Sequence, residues 1–539
     1  MSVIQNIRNI FMRYSPVLFV LFVALTMSCV LDPIATNDRP FGSYRITFAP
    51  NTEFGTAANL LPVAQNFKEY TLTIQALDEE GKLNTKDNSK VCFYSNRGIL
   101  LHSLEFKPLE LKNGVAQDVR LRLKLAFGRT IIWVGEYKDI PGQSGEQRCP
   151  NDIDPKDTVK PPVGRVGAAP DLYFETLSIR DVQKSDLDSL DSPLKGKYAL
   201  IGRGTKVVVG VTNNGFHVTD IDAYKDGRGY HSLFVFTFSA PTLFYEEGAA
   251  PRTLKIGDMI KQIEGGVDEF GGHTQIAFPS FVPHWKSEPG GEVVRWSESE
   301  MPAPQVLTTA MINDRRKMEP YESSTVEVRQ ALALPVYQQQ EGWSQFRQWP
   351  ILILEPTHEK DRAKCEELIL TELYLHVDPN RNQGSQYRSC IDKCQEAQLA
   401  RDQKCNSAYS QCKTQAPNPA KAKVCSDEQK TCLSKSNDDW FTCFFACRFD
   451  KNTGLFQRLE NVGCNHAILL VISNTTIPSY DPTSSENSLR RFSYLRGVLQ
   501  HARAVQFNQL TEYHHNNEIS NTGFVIWVRQ PDDLSLSQE

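Results

Sequence analysis

The residues best suited to do chemistry in this chain are its cysteines. There are 13. Eight of them stand at positions 390, 394, 405, 412, 425, 432, 443 and 447, a palindrome centred between Asn418 and Pro419. Thiols either oxidise to disulfides or ligate metal, and spacing separates the two. At about 100° per residue, Cys394, Cys405 and Cys412 all fall within roughly 60° of Cys390 around a helix. The second half of the array repeats this in mirror order. Each half is therefore expected to be a helix with one cysteine stripe, and an antiparallel hairpin brings the stripes together. The expected ladder is Cys390–Cys447, Cys394–Cys443, Cys405–Cys432 and Cys412–Cys425. Zinc sites favour short Cys-x2-Cys knuckles with closed four-ligand shells, and an oxidising compartment favours disulfides. Between the rungs Ala397, Ala408 and Leu433 are modest in size and let the helices approach. Thr414 to Lys421, with Pro417 and Pro419, is the turn, because proline cannot continue a helix interior.

The remaining cysteines pair by position. Cys365 and Cys464 bracket the hairpin, so a bridge between them closes the base of an insertion. Cys92 and Cys149 staple the N-terminal region. Cys29 is left over for a different chemistry.

Other candidate constellations are weak. No nucleophile elbow, His-Glu-x-x-His, Walker loop or dinucleotide fingerprint is present. Gly202-Arg203-Gly204-Thr205-Lys206 lacks phosphate-loop spacing and reads as a tight turn before a strand. His514 and His515 are adjacent and would point to opposite faces of a strand, so a polar loop is expected. Asp220, Asp222 and Asp226 lack the glutamate of a calcium loop and read as solvated turn acids, as do Asp186, Asp188 and Asp191. Phe234, Phe236 and Phe238 share one strand face; a stacking platform is conceivable, but barrel core is the simpler expectation. No catalytic residue, no metal ligand and no cofactor is expected.

These residues need elements to hold them. At 539 residues the chain is long enough for three or four domains. Its 40% hydrophobic and 23% charged content is that of a globular protein. A net charge of −5 argues against a nucleic-acid partner. Arg8 and Arg13 precede an uncharged apolar run from Pro16 to Met27, the proportions of a signal-peptide core. Residues 1–28 are thus expected to be a signal peptide. The run closes Leu25-Thr26-Met27-Ser28-Cys29, which resembles a bacterial lipobox. That resemblance implies a lipidated (palmitate-bearing) Cys29, a tether over 29–41 and attachment to the membrane by the lipid. Thr26 and Met27 depart from the pattern. Val30 is compatible with delivery to the outer membrane.

Residues 42–139 alternate in short runs, including Tyr44 to Phe48, Tyr70 to Ile74 and Val119 to Leu125, as β-sandwich strands do. With Asn113-Gly114-Val115-Ala116 and Ile131-Ile132-Trp133-Val134, this region resembles bacterial immunoglobulin-like adhesin modules. Residues 140–170, proline-rich and without period, read as a linker. Over 171–300 the order is Lys206 to Val211, Gly215 to Asp220, Leu233 to Phe238, Leu254 to Asp258 and Gly265 to Ile276. It resembles the OB-fold modules that accompany bacterial extracellular nucleases. Met318 to Ser323, Thr325 to Val328, Leu495 to Leu499 and Val525 to Asp533 resemble the same modules again. A second OB-like domain is therefore expected in two halves, 301–383 and 451–539, with the cysteine hairpin, 384–450, inserted between them. No stretch resembles the nuclease domain itself.

The expected protein is mainly β and multidomain: an Ig-like sandwich, two OB-like barrels and an inserted disulfide-laddered helical hairpin. It is expected to be a non-catalytic, lipid-anchored binding or structural protein of the bacterial cell envelope, with a protein or glycan partner. The other reading is a polymer-binding accessory subunit, for nucleic acid or polysaccharide, of a secreted hydrolase or envelope complex.

Overall fold

The computed structural model describes residues 44–102, 107–137, 149, 165–184, 190–243, 252–287, 292–333, 347–365, 367–368, 385–415, 419–448, 462–472, 490–502 and 523–536. It is mainly β, built from several sheets and one long helix pair. Cys29, the apolar run before it and the His514–His515 pair lie outside the described residues.

The N-terminal unit packs two four-stranded sheets. Its strands are β1 (Tyr44–Phe48), β2 (Lys68–Ala76), β3 (Lys90–Ser95), β4 (Ile99–Leu101), β5 (Leu109–Glu110), β6 (Val115–Lys124), β7 (Arg129–Thr130), β8 (Ile132–Glu136), β9 (Val166–Ala168) and β10 (Leu172–Tyr173). One sheet runs β1-β2-β6-β4, the other β5-β3-β8-β9, and β7 pairs with β10. Alternation explains the layering: Tyr70, Leu72, Ile74 and Ala76 of β2 all point into the core, beside Leu121 and Leu123 of β6. Val91 and Val134 close that core from the other sheet. Cys92 is bonded to Cys149, with Cα atoms 5.5 Å apart.

One strand of this unit lies where a linker was expected. β9 pairs with β8 inside residues 140–170. It is only three residues long, Val-Gly-Ala, so no alternation marks it. Gly167 explains the composition: a Cβ there would sit 2.1 Å from the Tyr44 carbonyl oxygen, so the two backbones can meet only at glycine.

The next unit is a closed barrel. Its strands are β11 (Tyr198–Ile201), β12 (Lys206–Thr212), β13 (Gly215–Asp220), β14 (Ser232–Phe236), β15 (Thr242–Leu243), β16 (Arg252–Thr253), β17 (Met259–Phe270) and β18 (His273–Pro283). The ring runs β12-β13-β14-β18-β17 and back to β12, with β14–β18 its parallel pair. β11 adds to the edge of β17, while β15 and β16 pair apart. Val208, Phe216, Val218, Leu233, Val235 and Ile263 fill the interior.

A second ring closes in the same cyclic order. It comprises β19 (Gln305–Val306), β20 (Thr325–Ala333), β21 (Gln348–Pro356), β22 (Cys464–Ile472), β23 (Arg491–Ala502), β24 (Gly523–Trp527) and β25 (Leu534–Leu536). The ring runs β20-β21-β22-β24-β23 and back to β20, and again the third and fifth strands are the parallel pair. Trp349, Phe492, Val326 and Leu469 lie in its core.

The chain leaves this ring after β21 and returns at β22. Between them stand two helices, Ser385–Thr414 and Pro419–Arg448, of 30 residues each. Pro419 opens the second helix, where its missing N–H costs nothing. Disulfides join Cys405 to Cys432 and Cys412 to Cys425, both with Cα atoms 5.8 Å apart. Cys394 is also disulfide-bonded; the side chains of Cys390, Cys443 and Cys447 lie outside the described residues. Cys365 is bonded to Cys464, the first residue of β22, which ties the base of the insertion to the barrel. Disulfides in this number belong to an extracytoplasmic protein. Among the described residues no helix is long and apolar enough to cross a membrane.

Candidate binding cleft and polar cluster between the barrels

The two rings meet through polar atoms. Gln500 on β23 bonds His217 on β13, Nε2 to Nε2, at 2.7 Å. The Arg529 guanidinium donates to the Val209 carbonyl at 2.9 Å. His273 Nε2 bonds Ser323 Oγ at 2.8 Å, and the Thr274 N–H donates to Glu322 Oε1 at 3.1 Å. Gln183, from the short helix Ile179–Gln183, donates to the same carboxylate oxygen at 3.2 Å. Gly229 allows a close approach: with φ +72°, it lies where a Cβ would be 2.4 Å from Pro320 Cβ.

Above this seam opens a cleft of about 850 Å³. Aromatic rings line one side in a continuous file. His273 stacks on Phe234 at 5.2 Å, Phe234 faces Phe236 at 6.3 Å, Phe236 meets Phe238 at 4.4 Å, and Phe238 meets Phe278 at 4.7 Å. The file runs from fully buried to open solvent: Phe238 is 55% exposed and Phe278 80%. Phe270, 73% exposed, also borders the cleft, as does Trp527 from the second ring.

This overturns the expectation that Phe234, Phe236 and Phe238 are barrel core. The interior side of β14 is Leu233 and Val235, and the phenylalanines take the other face. Phe234 is buried on the outer face by His217 and His273 of the neighbouring strands β13 and β18, not in the barrel interior. Two of the exposed rings also sit on unusual backbone. Phe238 has φ +62° and Phe278 has φ +50°, a left-handed conformation that bulky side chains rarely adopt. Phe278 lies at a bulge, where the β17–β18 register shifts between Glu264 and Gly266. Strain of this kind concentrates at ligand clamps.

Polar groups on the remaining wall include Thr212, Asn213, Asn214, Asp268, Gln275 and Gln500, with His501 at its floor. Among the described residues lining the cleft there is no lysine or arginine. Burial holds His273 down to about 3 and His217 well below the ordinary imidazole range. Both imidazoles are neutral at physiological pH, and the described residues that line the cleft bring no lysine or arginine charge.

Beneath the cleft is a carboxylate–imidazole cluster. Glu319 and Glu322 come from the turn before β20, and His501 from the end of β23. His501 Nε2 lies 3.3 Å from Glu319 Oε2 and 3.4 Å from Glu322 Oε2. Burial raises the Glu319 carboxyl to about 8 and Glu322 well above its usual range, while it lowers His501. Nearby, burial raises Glu269 to about 7, against hydrogen bonds from Ser192 and Thr274. These residues were not singled out from the sequence. The Glu-x-x-Glu spacing is visible there, but His501 follows 179 residues after Glu322 and joins it only when β20 pairs with β23.

Of the turn acids, Asp222 and Asp226 are exposed, as expected from sequence, whereas Asp220 is buried and structural. Asp220 is 2% exposed and caps the helix Ile221–Lys225, accepting from the N–H groups of Asp222 and Ala223 at 3.0 and 3.3 Å. Asp222 accepts from the Thr205 N–H at 3.0 Å. Asp226 is held by Arg180 and Arg228, and Asp191 pairs with Lys195 at 2.9 Å; Asp186 and Asp188 lie outside the described residues. The glycine-rich turn before β12 cradles a cation rather than a phosphate. Lys206 Nζ curls back to the carbonyls of Gly202, Arg203 and Gly204 at 3.2, 3.0 and 2.8 Å.

Comparison with protein families, with curated proteins and with solved structures finds no match.

Proposed function

We propose that this chain is an exported, non-catalytic binding protein of the bacterial envelope, lipid-anchored through Cys29, whose paired barrels bind a neutral polymer, a glycan chain, in the cleft between them. The observation that carries this reading is the file of Phe236, Phe238 and Phe278 beside amide and carboxylate side chains, in a cleft whose described lining residues include no lysine or arginine. Sugar rings pack their C–H faces on aromatic rings, and their hydroxyls bond to Asn, Gln and Asp. A nucleic acid offers faces for stacking as well, but phosphate binding depends on lysine and arginine. The cleft therefore favours the polysaccharide arm of the polymer-binding reading.

The ring order, with third and fifth strands parallel, supports the OB-like reading of both barrels, a fold that binds oligosaccharides as well as oligonucleotides. The two-sheet order of the N-terminal unit supports the Ig-like reading. The disulfides support export, and the lipid on Cys29 would hold the protein at the membrane.

Calorimetric titration with neutral envelope oligosaccharides should give saturable binding that Phe238→Ala and Phe278→Ala each weaken roughly tenfold or more, at ~1–2 kcal/mol per ring face. Tight binding of single-stranded DNA with no response to any neutral glycan would overturn the reading. Incorporation of an alkynyl fatty acid, lost in Cys29→Ser, tests the anchor.

A further inference from the structure

The cluster beneath the cleft has a geometry that hydrogen bonding does not explain. His501 Nε2 and the Oε2 atoms of Glu319 and Glu322 all lie within 4.8 Å of one another. None of the three makes a hydrogen bond, and neither does His501 Nδ1. Yet Glu319, Glu322 and His501 are only 3%, 2% and 5% exposed. Polar atoms buried this deeply are normally paired.

The separations of 3.3 and 3.4 Å are long for an N–H···O bond, which is about 2.7–3.2 Å. They match another quantity. Around a tetrahedral ion with bonds of about 2.0–2.1 Å, neighbouring ligand atoms stand about 3.3–3.4 Å apart.

We propose that Glu319, Glu322 and His501 form a binding site for one divalent transition-metal ion, and that Zn2+ is the ion this donor set fits best. Two carboxylate oxygens and one imidazole nitrogen balance a dication's charge. Calcium and magnesium favour all-oxygen shells, and the nitrogen donor selects against them. The carboxylate of Glu322 is already oriented: its other oxygen, Oε1, accepts from the Thr274 N–H and from Gln183 Nε2, leaving Oε2 to face His501. The His501 ring is held edge-on against Phe524 at 3.9 Å. Arg315 is the cation whose field reaches both Glu319 and His501, and a bound ion would compete with it. Three protein ligands leave a fourth position for water or a ligand group.

The ligands belong to the second ring, while Thr274 and Gln183, which orient Glu322, come from the first ring and the helix before it. An ion here would therefore stiffen the seam under the cleft. This site does not depend on the glycan reading and can stand or fall without it.

The full chain, stripped with chelator and titrated with Zn2+ near pH 8, should take up one ion per molecule, release protons and melt at a higher temperature. Glu322→Gln and His501→Gln, checked for native far-UV and near-UV circular dichroism, should each weaken uptake by roughly hundredfold or more. Glu319→Gln provides a third, near-isosteric variant should one of these fail to fold. Three results would overturn the proposal: no stoichiometric Zn2+ uptake by the wild-type chain, unchanged affinity in the folded variants, or a preference for Ca2+ over Zn2+.

Discussion

Single side chains in this protein carry costs that its environment makes measurable. Lys206 is fully buried, and burial lowers its ammonium to about 8. The unfolded chain holds that proton to about pH 10.4, so folding releases a proton between these two values. Stability from this group therefore rises from pH 8 to pH 10.4, and below pH 8 the cost of the buried charge is fully present. Denaturant melts of wild type and Lys206→Met across that window should diverge by about 3 kcal/mol, at ~1.4 kcal/mol per pH unit, in favour of the wild type at the alkaline end. Parallel curves would exclude a depressed Lys206. A second residue-scale expectation concerns the left-handed rings. Phe278 is 80% exposed at φ +50°, so little apolar burial is lost on its removal. Phe278→Gly should stabilise the fold by about 1 kcal/mol through relief of strain while it abolishes ring contact with ligand. Stability and binding should move in opposite directions; a loss of both would show that the conformation is not strained.

At the scale of elements, the helical hairpin stands apart in how it is stabilised. Among the described residues its helices bury few apolar side chains, and Leu399 and Val424 are 57% and 52% exposed. Cross-links and polar pairs hold the helices side by side: Gln429 donates to Asn406 Oδ1 at 2.8 Å, beside the rungs Cys405–Cys432 and Cys412–Cys425. Reduction should therefore melt the hairpin before the barrels, seen as loss of helical ellipticity at 222 nm with the near-UV signal of the buried Trp349 retained. Cys405→Ser with Cys432→Ser should lower protection of hairpin amides by about 2–4 kcal/mol in hydrogen exchange. Unchanged exchange would mean that packing, not the ladder, supports the helices. The palindromic cysteines made this element legible from sequence because helix geometry is local and repeats every few residues. The strand β9 was not legible, because three residues hold no period and its glycine answers to Tyr44, more than 100 residues away.

At the scale of the molecule, the two rings work as one body through the seam. Gly229 meets Pro320 where no side chain fits, and the Tyr230 N–H donates to the Pro320 carbonyl. Gly229→Val should pry the rings apart at a cost of about 2 kcal/mol or more, split the thermal transition of the barrels in two and weaken cleft binding. A single transition with full binding would show that the seam is not what shapes the cleft.

Sequence alone determined what depends on local spacing. The cysteine stripes follow from the period of 3.6 residues, the alternating strands of the N-terminal unit from the period of 2, and the Cys365–Cys464 pair from its bracketing of the hairpin. The strands of the second barrel are legible only through a resemblance, which does not reach β21 and β22. Tertiary structure decided what depends on which face meets which. The alternation of β14 put Leu233 and Val235 on one side and the phenylalanines on the other, but only barrel closure made the first side the core. On that other face His217 and His273 of the neighbouring strands bury Phe234, while Phe238, beyond the end of β14, stays open. Glu319, Glu322 and His501 became neighbours through the β20–β23 pairing, a contact between distant segments that no local pattern encodes.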